Sequence, residues 1–343
     1  MIGNPAYPTF QVFLAIGVAA LVTGLLMPFF IRLMRYEGVG QQIRADGPQR
    51  HLVKQGTPTM GGVIILVGVL ASCALVAEWT PGLILAVGAT LVTGSLGLLD
   101  DIESVAHGRS LGLTPSQKMA GLILISVVFC LVAVNVCGVA PAISLPGGFV
   151  IDLGVLSTTL DLGGAAVSIP WLYLVFVFLL MAGLSNAVNL TDGLDGLAGG
   201  CTMVVMLFMA MVAFLYNELD LAILAGAIAG ACVGFLWHNC YPASIFMGDT
   251  GSLALGAALA SLAVLTKTEV TSLIMGGVFV CEALSVIIQV TSFKLTGRRV
   301  FLMTPIHHHF EQMGWAENKV VIRFWIVTAA FASLGFALYF QLG

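Results

Sequence analysis

Two amides and two carboxylates interrupt a long apolar part of the sequence. Asn186, Asn189, Asp192 and Asp195 lie between the apolar run from Trp171 to Leu184 and a second run from Cys201 to Leu215. Polar groups at the end of a membrane helix are costly unless they are used. A helix would place the two carboxylates on one face, and the adjacent glycines let the backbone approach a ligand closely. The alternative is a polar turn between two helices, since Asp-Gly is a common turn dipeptide.

Three further carboxylates occur at similar positions in the sequence. Asp100 and Asp101 follow an apolar run that ends at Leu99, and Asp249 begins another apolar run directly after Gly248. Two adjacent like charges invite a cation or a shared proton. Carboxylate oxygens without cysteine ligands suit Mg²⁺ or Mn²⁺, and Mg²⁺ usually binds one or two carboxylates together with substrate phosphates. These residues therefore indicate phosphoryl chemistry, and a polar cap at the membrane surface is the simpler alternative.

Cations, hydroxyls and histidines accompany these carboxylates. Residues 50–62 form a basic run followed by threonines and glycines at the start of a helix, which suits oxyanion binding. His307, His308 and His309 are consecutive and follow Pro305. Three consecutive histidines cannot all face one way in a helix, so we expect one or two to contact substrate and one to be structural.

The composition is that of a membrane protein. Of 343 residues, 59% are hydrophobic and 9% are charged, and the mean hydropathy is +1.04. Soluble domains carry roughly 25% charged residues. We therefore predict an all-α, polytopic bundle of about ten transmembrane helices that forms a single integral membrane domain over residues 1–343. The first apolar segment has no basic region before it and no small-residue cleavage site, so we expect a retained span. The seven cysteines show no CxxC pairing and indicate neither disulfides nor zinc.

Ten apolar segments define the predicted spans. They lie at about 9–31, 60–77, 81–99, 117–137, 169–185, 198–216, 219–237, 250–266, 271–292 and 321–341. If the loop after the first span is cytoplasmic, every one of the 13 basic residues except Lys267 lies on the cytoplasmic side. The positive-inside rule then places both termini outside the cytoplasm.

The five loops on the predicted cytoplasmic side form the expected catalytic face, at about residues 32–59, 100–118, 186–197, 238–250 and 293–320. On the opposite side, only the loop at about 138–168 is long. Residues 142–153 within it predict a small hairpin outside the cytoplasm.

The motifs together resemble a known family. Asp100-Asp101, Asn186-x-x-Asn189-x-x-Asp192-Gly193-x-Asp195-Gly196 and residues 246–249 are similar to the signature of the polyprenyl-phosphate N-acetylhexosamine-1-phosphate transferases. The histidine run and residues 50–59 resemble the branch that acts on phospho-N-acetylmuramoyl-pentapeptide. The likeness extends from about residue 35 to 325. It implies transfer of that group from UDP to undecaprenyl phosphate, giving lipid I and UMP in the first membrane step of peptidoglycan synthesis.

The resemblance also implies roles for individual residues. Asp249 would bind Mg²⁺ (with Mn²⁺ as an alternative), and Asp192 is a second candidate ligand. Asp100 would position or deprotonate the lipid phosphate beside Asp101, with Lys118 as a phosphate or nucleotide contact. His307 completes the expected catalytic set. The remaining expected substrate contacts are Lys54, Thr59, Asn186, Asn189, Asp195, Asn239, Phe246, Gln289, His308 and His309. Glu282, an acidic residue inside a predicted span, has either a role there or only a pairing partner.

The expected partners are UDP-N-acetylmuramoyl-pentapeptide, undecaprenyl phosphate and the lipid bilayer of a bacterial cytoplasmic membrane. A homodimer stays open, and no nucleic acid is expected. One alternative is a related transferase with a UDP-N-acetylglucosamine-type donor. A carboxylate-lined transporter is a more distant one, because transporters usually hold acidic groups near the membrane midplane, whereas these lie at predicted span ends.

Overall fold

The computed structural model describes residues 7–40, 56–107, 112–161, 163 and 166–340. Its helices are α1 (Pro8–Tyr36), α2 (Gly62–Val76), α3 (Pro81–Ala106), α4 (Pro115–Asn135), α5 (Trp171–Thr191), α6 (Leu197–Leu215), α7 (Leu219–Asn239), α8 (Gly248–Leu265), α9 (Glu269–Met275), α10 (Gly277–Thr296), α11 (Ile306–Gln312) and α12 (Glu317–Tyr339). Its strands are β1 (Ala142–Leu145), β2 (Phe149–Asp152), β3 (Ser157–Asp161) and β4 (Ala166–Pro170).

The prediction of a polytopic helical membrane protein is confirmed. Within the described ranges, nine helices are long and apolar enough to cross a membrane. The second predicted span is the shorter apolar helix α2, which has 15 residues. All ten predicted segments therefore correspond to apolar helices.

Helix α8 lies at the centre of the bundle, with α3 and α5 packed along it. Its sequence is rich in glycine, alanine and serine, and the backbones of its neighbours approach it closely. A Cβ atom added at Gly62 would lie 2.2 Å from the backbone nitrogen of Gly251, and one at Gly97 would lie 2.2 Å from the carbonyl oxygen of Asp249. Small residues allow this close packing, which is a main source of helix association in lipid. The packing fixes the first turn of α8 against α2 and α3.

The predicted span at 271–292 is divided into two helices. The short helix α9 ends at Met275, and α10 begins at Gly277. Two consecutive glycines at 276 and 277 lower the helix propensity at this point. A Cβ atom at Gly277 would also lie 2.6 Å from the ring of Phe331, so α12 packs closely against the break. Apolar composition gave no sign of this division because both halves are apolar.

The long loop between α4 and α5 holds two antiparallel hairpins. Strand β1 pairs with β2, with Ala142 opposite Asp152, which confirms the predicted hairpin. Strand β3 pairs with β4, with Ser157 opposite Pro170. This second hairpin was not predicted, because its first strand is rich in serine and threonine and has only one apolar residue.

The hairpins lie at the end of the bundle opposite the motif carboxylates. There Lys267 donates to the carbonyl oxygen of Ala140, at 3.0 Å, and to Glu269 Oε1, at 2.8 Å. The backbone nitrogen of Glu78 donates to Asp220 Oδ1 at 3.0 Å. These contacts tie the loops at this end together, and the motif residues are gathered at the other.

Candidate active site

Asp101 joins α3 to the start of α8. Its Oδ1 accepts a hydrogen bond from the backbone nitrogen of Asp249 at 3.0 Å. Its Oδ2 accepts from the backbone nitrogen and the hydroxyl of Thr250, at 3.0 and 2.6 Å. A carboxylate at a helix N-terminus satisfies otherwise unpaired N–H groups and interacts favourably with the helix dipole. Asp101 therefore caps α8 and fixes the backbone of Asp249.

Asp100, Lys118 and Asp249 form a charged cluster from three helices. Lys118 Nζ lies 2.5 Å from Asp249 Oδ2 and 3.1 Å from Asp100 Oδ1. The backbone nitrogen of Leu113 also donates to Asp100 Oδ1, at 2.6 Å. Asp100 is only 6% exposed, so the ammonium group offsets negative charge that would otherwise be poorly solvated. The structure thus brings together two predicted acidic residues and Lys118, the predicted phosphate or nucleotide contact.

Asn189 supplies the link from α5 to this cluster. Its amide donates to Asp249 Oδ1 at 2.8 Å and to the hydroxyl of Ser252 at 2.9 Å. Both oxygens of Asp249 therefore have a side-chain donor, one from Asn189 and one from Lys118. Asn186 lies one turn earlier and donates to the carbonyl oxygen of Ala182 in its own helix.

Asp192 follows α5 and faces the same group of carboxylates. It is half-buried, and this burial, with the charges of Asp249, Asp101 and Asp195, raises its pKa to about 8. A raised pKa means that the negative charge is not fully offset by neighbouring cations. The negative charge concentrated around Asp192 favours the binding of a cation there.

Asp195 and Asn239 organise the turn between α5 and α6. Asp195 Oδ2 accepts from the backbone nitrogen of Ala243 at 3.0 Å, and its own backbone nitrogen donates to Glu317 Oε1 at 3.0 Å. Asn239 is 3% exposed; it accepts from the backbone nitrogen of Gly196 and donates to the carbonyl oxygen of Ile245. Gly196 has a φ of 81°, which favours glycine. Asp195 and Asn239, which are both predicted to contact substrate, therefore also hold the backbone of this turn.

Thr59 and Phe246 lie in two segments that pair with each other. The backbone nitrogen of Phe246 donates to the carbonyl oxygen of Pro58 at 2.8 Å, and its carbonyl oxygen accepts from Gly61 at 2.9 Å. Thr59 is 5% exposed between these contacts, whereas the ring of Phe246 is partly accessible. The pairing holds residues 58–61 beside the start of α8. Lys54 lies outside the described residues.

The three histidines have three different environments. His307 is fully buried, with Nδ1 3.0 Å from Glu282 Oε1. His308 Nδ1 lies 2.7 Å from Glu311 Oε2. His309 Nδ1 accepts from the backbone nitrogen of Leu302 at 3.2 Å. The three rings therefore do not share one direction, and which of them contacts substrate stays a prediction.

Gln289 holds the loop that precedes the histidine run. Its Oε1 accepts from the backbone nitrogens of Val300 and Phe301, at 2.8 and 3.0 Å. Its amide nitrogen donates to the carbonyl oxygen of Phe301 at 2.9 Å. Gln289 therefore fixes the loop backbone and is a positioning residue in this structure.

Sequence reasoning overlooked several contacts. Ser252 and Thr250 follow Asp249 directly, and their hydroxyls at a helix start were a usable signal. Glu317 and the backbone nitrogens of Leu113 and Ala243 carried no such signal, because their roles depend on which loops meet.

The residues fit a divalent cation that also binds substrate. Among the residues that the structure describes, no group of three or more His, Cys, Asp or Glu side chains could hold a metal unaided. The available ligands are carboxylate oxygens, principally those of Asp249 and Asp192. Mg²⁺ commonly binds in this way, through one or two carboxylates and substrate phosphates.

Comparison with known proteins decides the family. The model for glycosyl transferase family 4 matches residues 83–267, and a phospho-N-acetylmuramoyl-pentapeptide-transferase signature matches residues 54–66. The phospho-N-acetylmuramoyl-pentapeptide-transferase of Rubrobacter xylanophilus is 47% identical over 96% of this chain and 98% of its own length. The chain belongs to the phospho-N-acetylmuramoyl-pentapeptide-transferases. The proteins of the same name from Desulforudis audaxviator and Corynebacterium jeikeium are 49% and 45% identical, over 95% and 96% of the chain and 97% of their own lengths.

Membership of the phospho-N-acetylmuramoyl-pentapeptide-transferases makes the chain a membrane transferase. The family model covers the segment from α3 to the loop before α9, which contributes Asp100, Asp101, Lys118, Asn189 and Asp249. The signature covers the loop that pairs with Phe246 and the first residues of α2. The histidine run lies beyond both matched segments.

Proposed function

We propose that the protein transfers phospho-N-acetylmuramoyl-pentapeptide from its UDP derivative to undecaprenyl phosphate, releasing UMP and forming lipid I. One observation carries the proposal. At one end of an apolar bundle, the side chains of Asp100, Lys118, Asn189 and Asp249 contact one another at distances of 3.1 Å or less. A site at the membrane surface can receive a soluble nucleotide from water and a lipid phosphate from the bilayer.

An apolar groove offers a path for the lipid acceptor. It has a volume of about 310 Å³ and runs between α5 and the α9–α10 pair. Leu180, Leu184 and Ala187 line it on the α5 side, and Val280 and Leu284 on the α10 side. Ala187 is two residues before Asn189, so the groove leads towards the polar cluster. A polyprenyl chain in the groove would bring its phosphate to the charged site.

Asp249 is the proposed Mg²⁺ ligand, with Asp192 as the second candidate. When bound, Mg²⁺ would neutralise charge on the donor pyrophosphate and assist the departure of UMP. Lys118 would interact with phosphate oxygens, because it is the cation nearest to both Asp100 and Asp249. Asp101 would keep the first turn of α8 in place.

The nucleotide and sugar would lie around the remaining predicted residues. Phe246 presents a partly accessible ring that could stack on uracil, while Asn239 and Asp195 hold the adjacent turn. Lys54, Thr59, Asn186 and the histidine run would surround the rest of the donor, with Gln289 fixing the loop beside them.

Direct attack by the lipid phosphate is the proposed mechanism. A phosphate oxygen of the acceptor attacks the β-phosphorus of the donor, and the bond from that phosphorus to the bridging oxygen breaks to release UMP. A polyprenyl phosphate is already an anionic nucleophile, so a covalent enzyme intermediate would gain little. Asp100 would position the acceptor or remove its remaining proton.

The proposed setting is the cytoplasmic membrane of a bacterium, with this face towards the cytoplasm and both termini outside. The single membrane domain would carry the five loops of the catalytic face. The basic residues support this orientation. Lys118 and Lys319 lie in the first turns of their helices at the motif end, Arg298 and Arg299 follow the end of α10 there, and Lys267 lies at the hairpin end. A homodimer is compatible with the site, which lies within one chain.

Release of UMP by detergent-purified protein tests the proposal. UDP-N-acetylmuramoyl-pentapeptide and undecaprenyl phosphate with Mg²⁺ should give stoichiometric UMP and a lipid-linked product. UDP-N-acetylglucosamine should give none. Activity only with the second donor would refute the proposed substrate.

A further inference from the structure

Glu282 and His307 form a buried pair beside the proposed active site. Glu282 belongs to α10 and His307 to α11, and both side chains are fully buried. Nδ1 of the histidine lies 3.0 Å from Oε1 of the glutamate. The other polar atoms, Glu282 Oε2 and His307 Nε2, have no hydrogen-bond partner among the described residues. A buried polar atom left unpaired is unfavourable, so its retention calls for a reason.

The free nitrogen of His307 faces the turn that carries the acidic motif. A Cβ atom added at Gly193 would lie 2.4 Å from Nε2, so this edge of the ring lies against Gly193. Asp192 precedes that glycine, and Asp195 follows two residues later. The pair therefore connects the kinked α9–α10 segment to the turn between α5 and α6.

Burial restricts where the protons of the pair can reside. A net charge on two fully buried groups is costly, so the net-neutral arrangements are favoured. One is imidazolium with carboxylate, and another is neutral imidazole whose Nδ1 accepts a hydrogen bond from a protonated carboxyl group. A third, in which Nδ1–H donates to a protonated carboxyl group, is disfavoured because the O–H at Oε2 would be buried without an acceptor. In the first two arrangements Nε2 carries a hydrogen, because Nδ1 either donates to Glu282 or accepts from it. The pair thus presents a hydrogen-bond donor to the turn.

We propose that Glu282 is a positioning residue that holds His307 with its Nε2–H directed at the Gly193 turn, where it donates to an oxyanion of the donor substrate. This inference rests on the proposed function, since the oxyanion is a phosphate oxygen of the nucleotide-linked donor. Asp192 and Asp195 give this turn two carboxylates, so a fixed donor helps an anion to approach. A donor already in place also costs no reorganisation during the reaction.

Two substitutions at Glu282 separate positioning from packing. In Glu282→Met the side chain keeps its approximate length but has no group to hold the ring, so kcat should fall by about tenfold or more, with KM for the donor changed less than about threefold. In Glu282→Gln the amide can donate to Nδ1 and keep Nε2–H in place, so kcat should recover most of that loss. A role in packing alone predicts the opposite order, because Met suits an apolar interior better than Gln does.

Glu269 provides a matched control. It is equally buried and paired, with Lys267 Nζ 2.8 Å away, but lies near the hairpin end. Glu269→Met should lower the melting temperature without the selective loss of kcat. In a His307→Phe background, Glu282→Met should cause no further loss of kcat, since the residue acts through the histidine.

The measurement is UMP release over a donor titration, with a thermal melt of each variant. Equal kcat for wild type, Glu282→Met and Glu282→Gln would overturn the inference, as would additive losses in the His307→Phe background. If Glu282→Met is not recovered folded, Glu282→Asp carries the test, because it withdraws the carboxyl group by one methylene. A loss of kcat at unchanged melting temperature then supports the inference, and unchanged kcat overturns it. Wild-type protein that releases no UMP would count against the proposed function itself.

Discussion

Replacement of Asp101 by asparagine tests whether this residue acts through structure or chemistry. The carboxylate accepts three hydrogen bonds, from the backbone nitrogens of Asp249 and Thr250 and from the Thr250 hydroxyl. In Asp101→Asn one oxygen remains an acceptor, but the amide nitrogen would face an N–H group. We therefore expect the loss of at least one hydrogen bond to a charged acceptor and a repulsive contact in place of another.

The size of the effect follows from these bonds. Hydrogen bonds to charged groups contribute about 1.5 to 3 kcal/mol, so the variant should lose about 2 to 4 kcal/mol of stability. For a chain of 343 residues, a loss of this size should lower the melting temperature by roughly 3 to 6 °C. Turnover should fall by about 10- to 100-fold, because a displaced Asp249 backbone misplaces the reacting groups. Thr250→Val removes only the hydroxyl bond and should cause a smaller change in both quantities.

Thermal melts and UMP release on the same preparations decide the matter. A graded series, with Thr250→Val between wild type and Asp101→Asn in both stability and kcat, supports a capping role. If Asp101→Asn melted like the wild type yet released no UMP at all, the residue would act directly on substrate, and the assignment as a cap without chemistry would fail.

Four further predictions concern the metal, pH, mechanism and orientation. Asp249→Asn should abolish Mg²⁺-dependent turnover, because an amide is a poorer ligand than a carboxylate; normal activity with unchanged Mg²⁺ dependence would remove Asp249 from this role. The pKa of Asp192 is raised to about 8, so the fraction of its charged form increases as the pH rises. The apparent Mg²⁺ affinity should therefore increase by up to about tenfold per pH unit between pH 6 and 8 and level off above pH 8. Mg²⁺ titrations of activity measure this affinity, and a value independent of pH would contradict the prediction. Asp100→Asn should lower kcat and retain donor binding, and wild-type enzyme stripped of lipid should show no stoichiometric burst of UMP; a burst with label retained on Asp100 would instead establish a covalent intermediate. Cysteines placed at Glu78, Asp161 or Asp220 should react with an impermeant thiol reagent on whole cells, and cysteines at Arg44 or Glu311 should not; the reversed pattern would refute the orientation.

The apolar segments and the acidic motifs were readable from sequence because each depends on local composition. Long runs without charge require helices in lipid, and several carboxylates at the ends of such runs indicate a function there. Lys118 came instead from the family resemblance, which implies a phosphate or nucleotide contact. It did not show that Lys118 would contact both Asp100 and Asp249.

The remaining details depend on which loops meet, which local patterns do not encode. Asn239 and Gln289 stay predicted substrate contacts, and their hydrogen bonds to the backbone of a neighbouring loop were not predicted. The break at Gly276 needs the contact of Gly277 with Phe331, a residue far along the chain. The partner of Glu282 could be anticipated only as some buried donor, since α11 approaches α10 through a loop of irregular structure.

The glycine contacts beneath the site bear on how such an enzyme can change over generations. At Gly62 and Gly97 even a methyl group would collide with the backbone of α8, so no other amino acid fits without separating the helices. Substitutions at Gly62 and Gly97, beneath the site, are therefore not tolerated. The ring of Phe246 and the loop before the histidine run lie at the edge of the site. New donor preferences, whether natural or selected in a library, should arise by substitution of side chains at this edge. The packing of α2 and α3 on α8 should stay the same in all such variants.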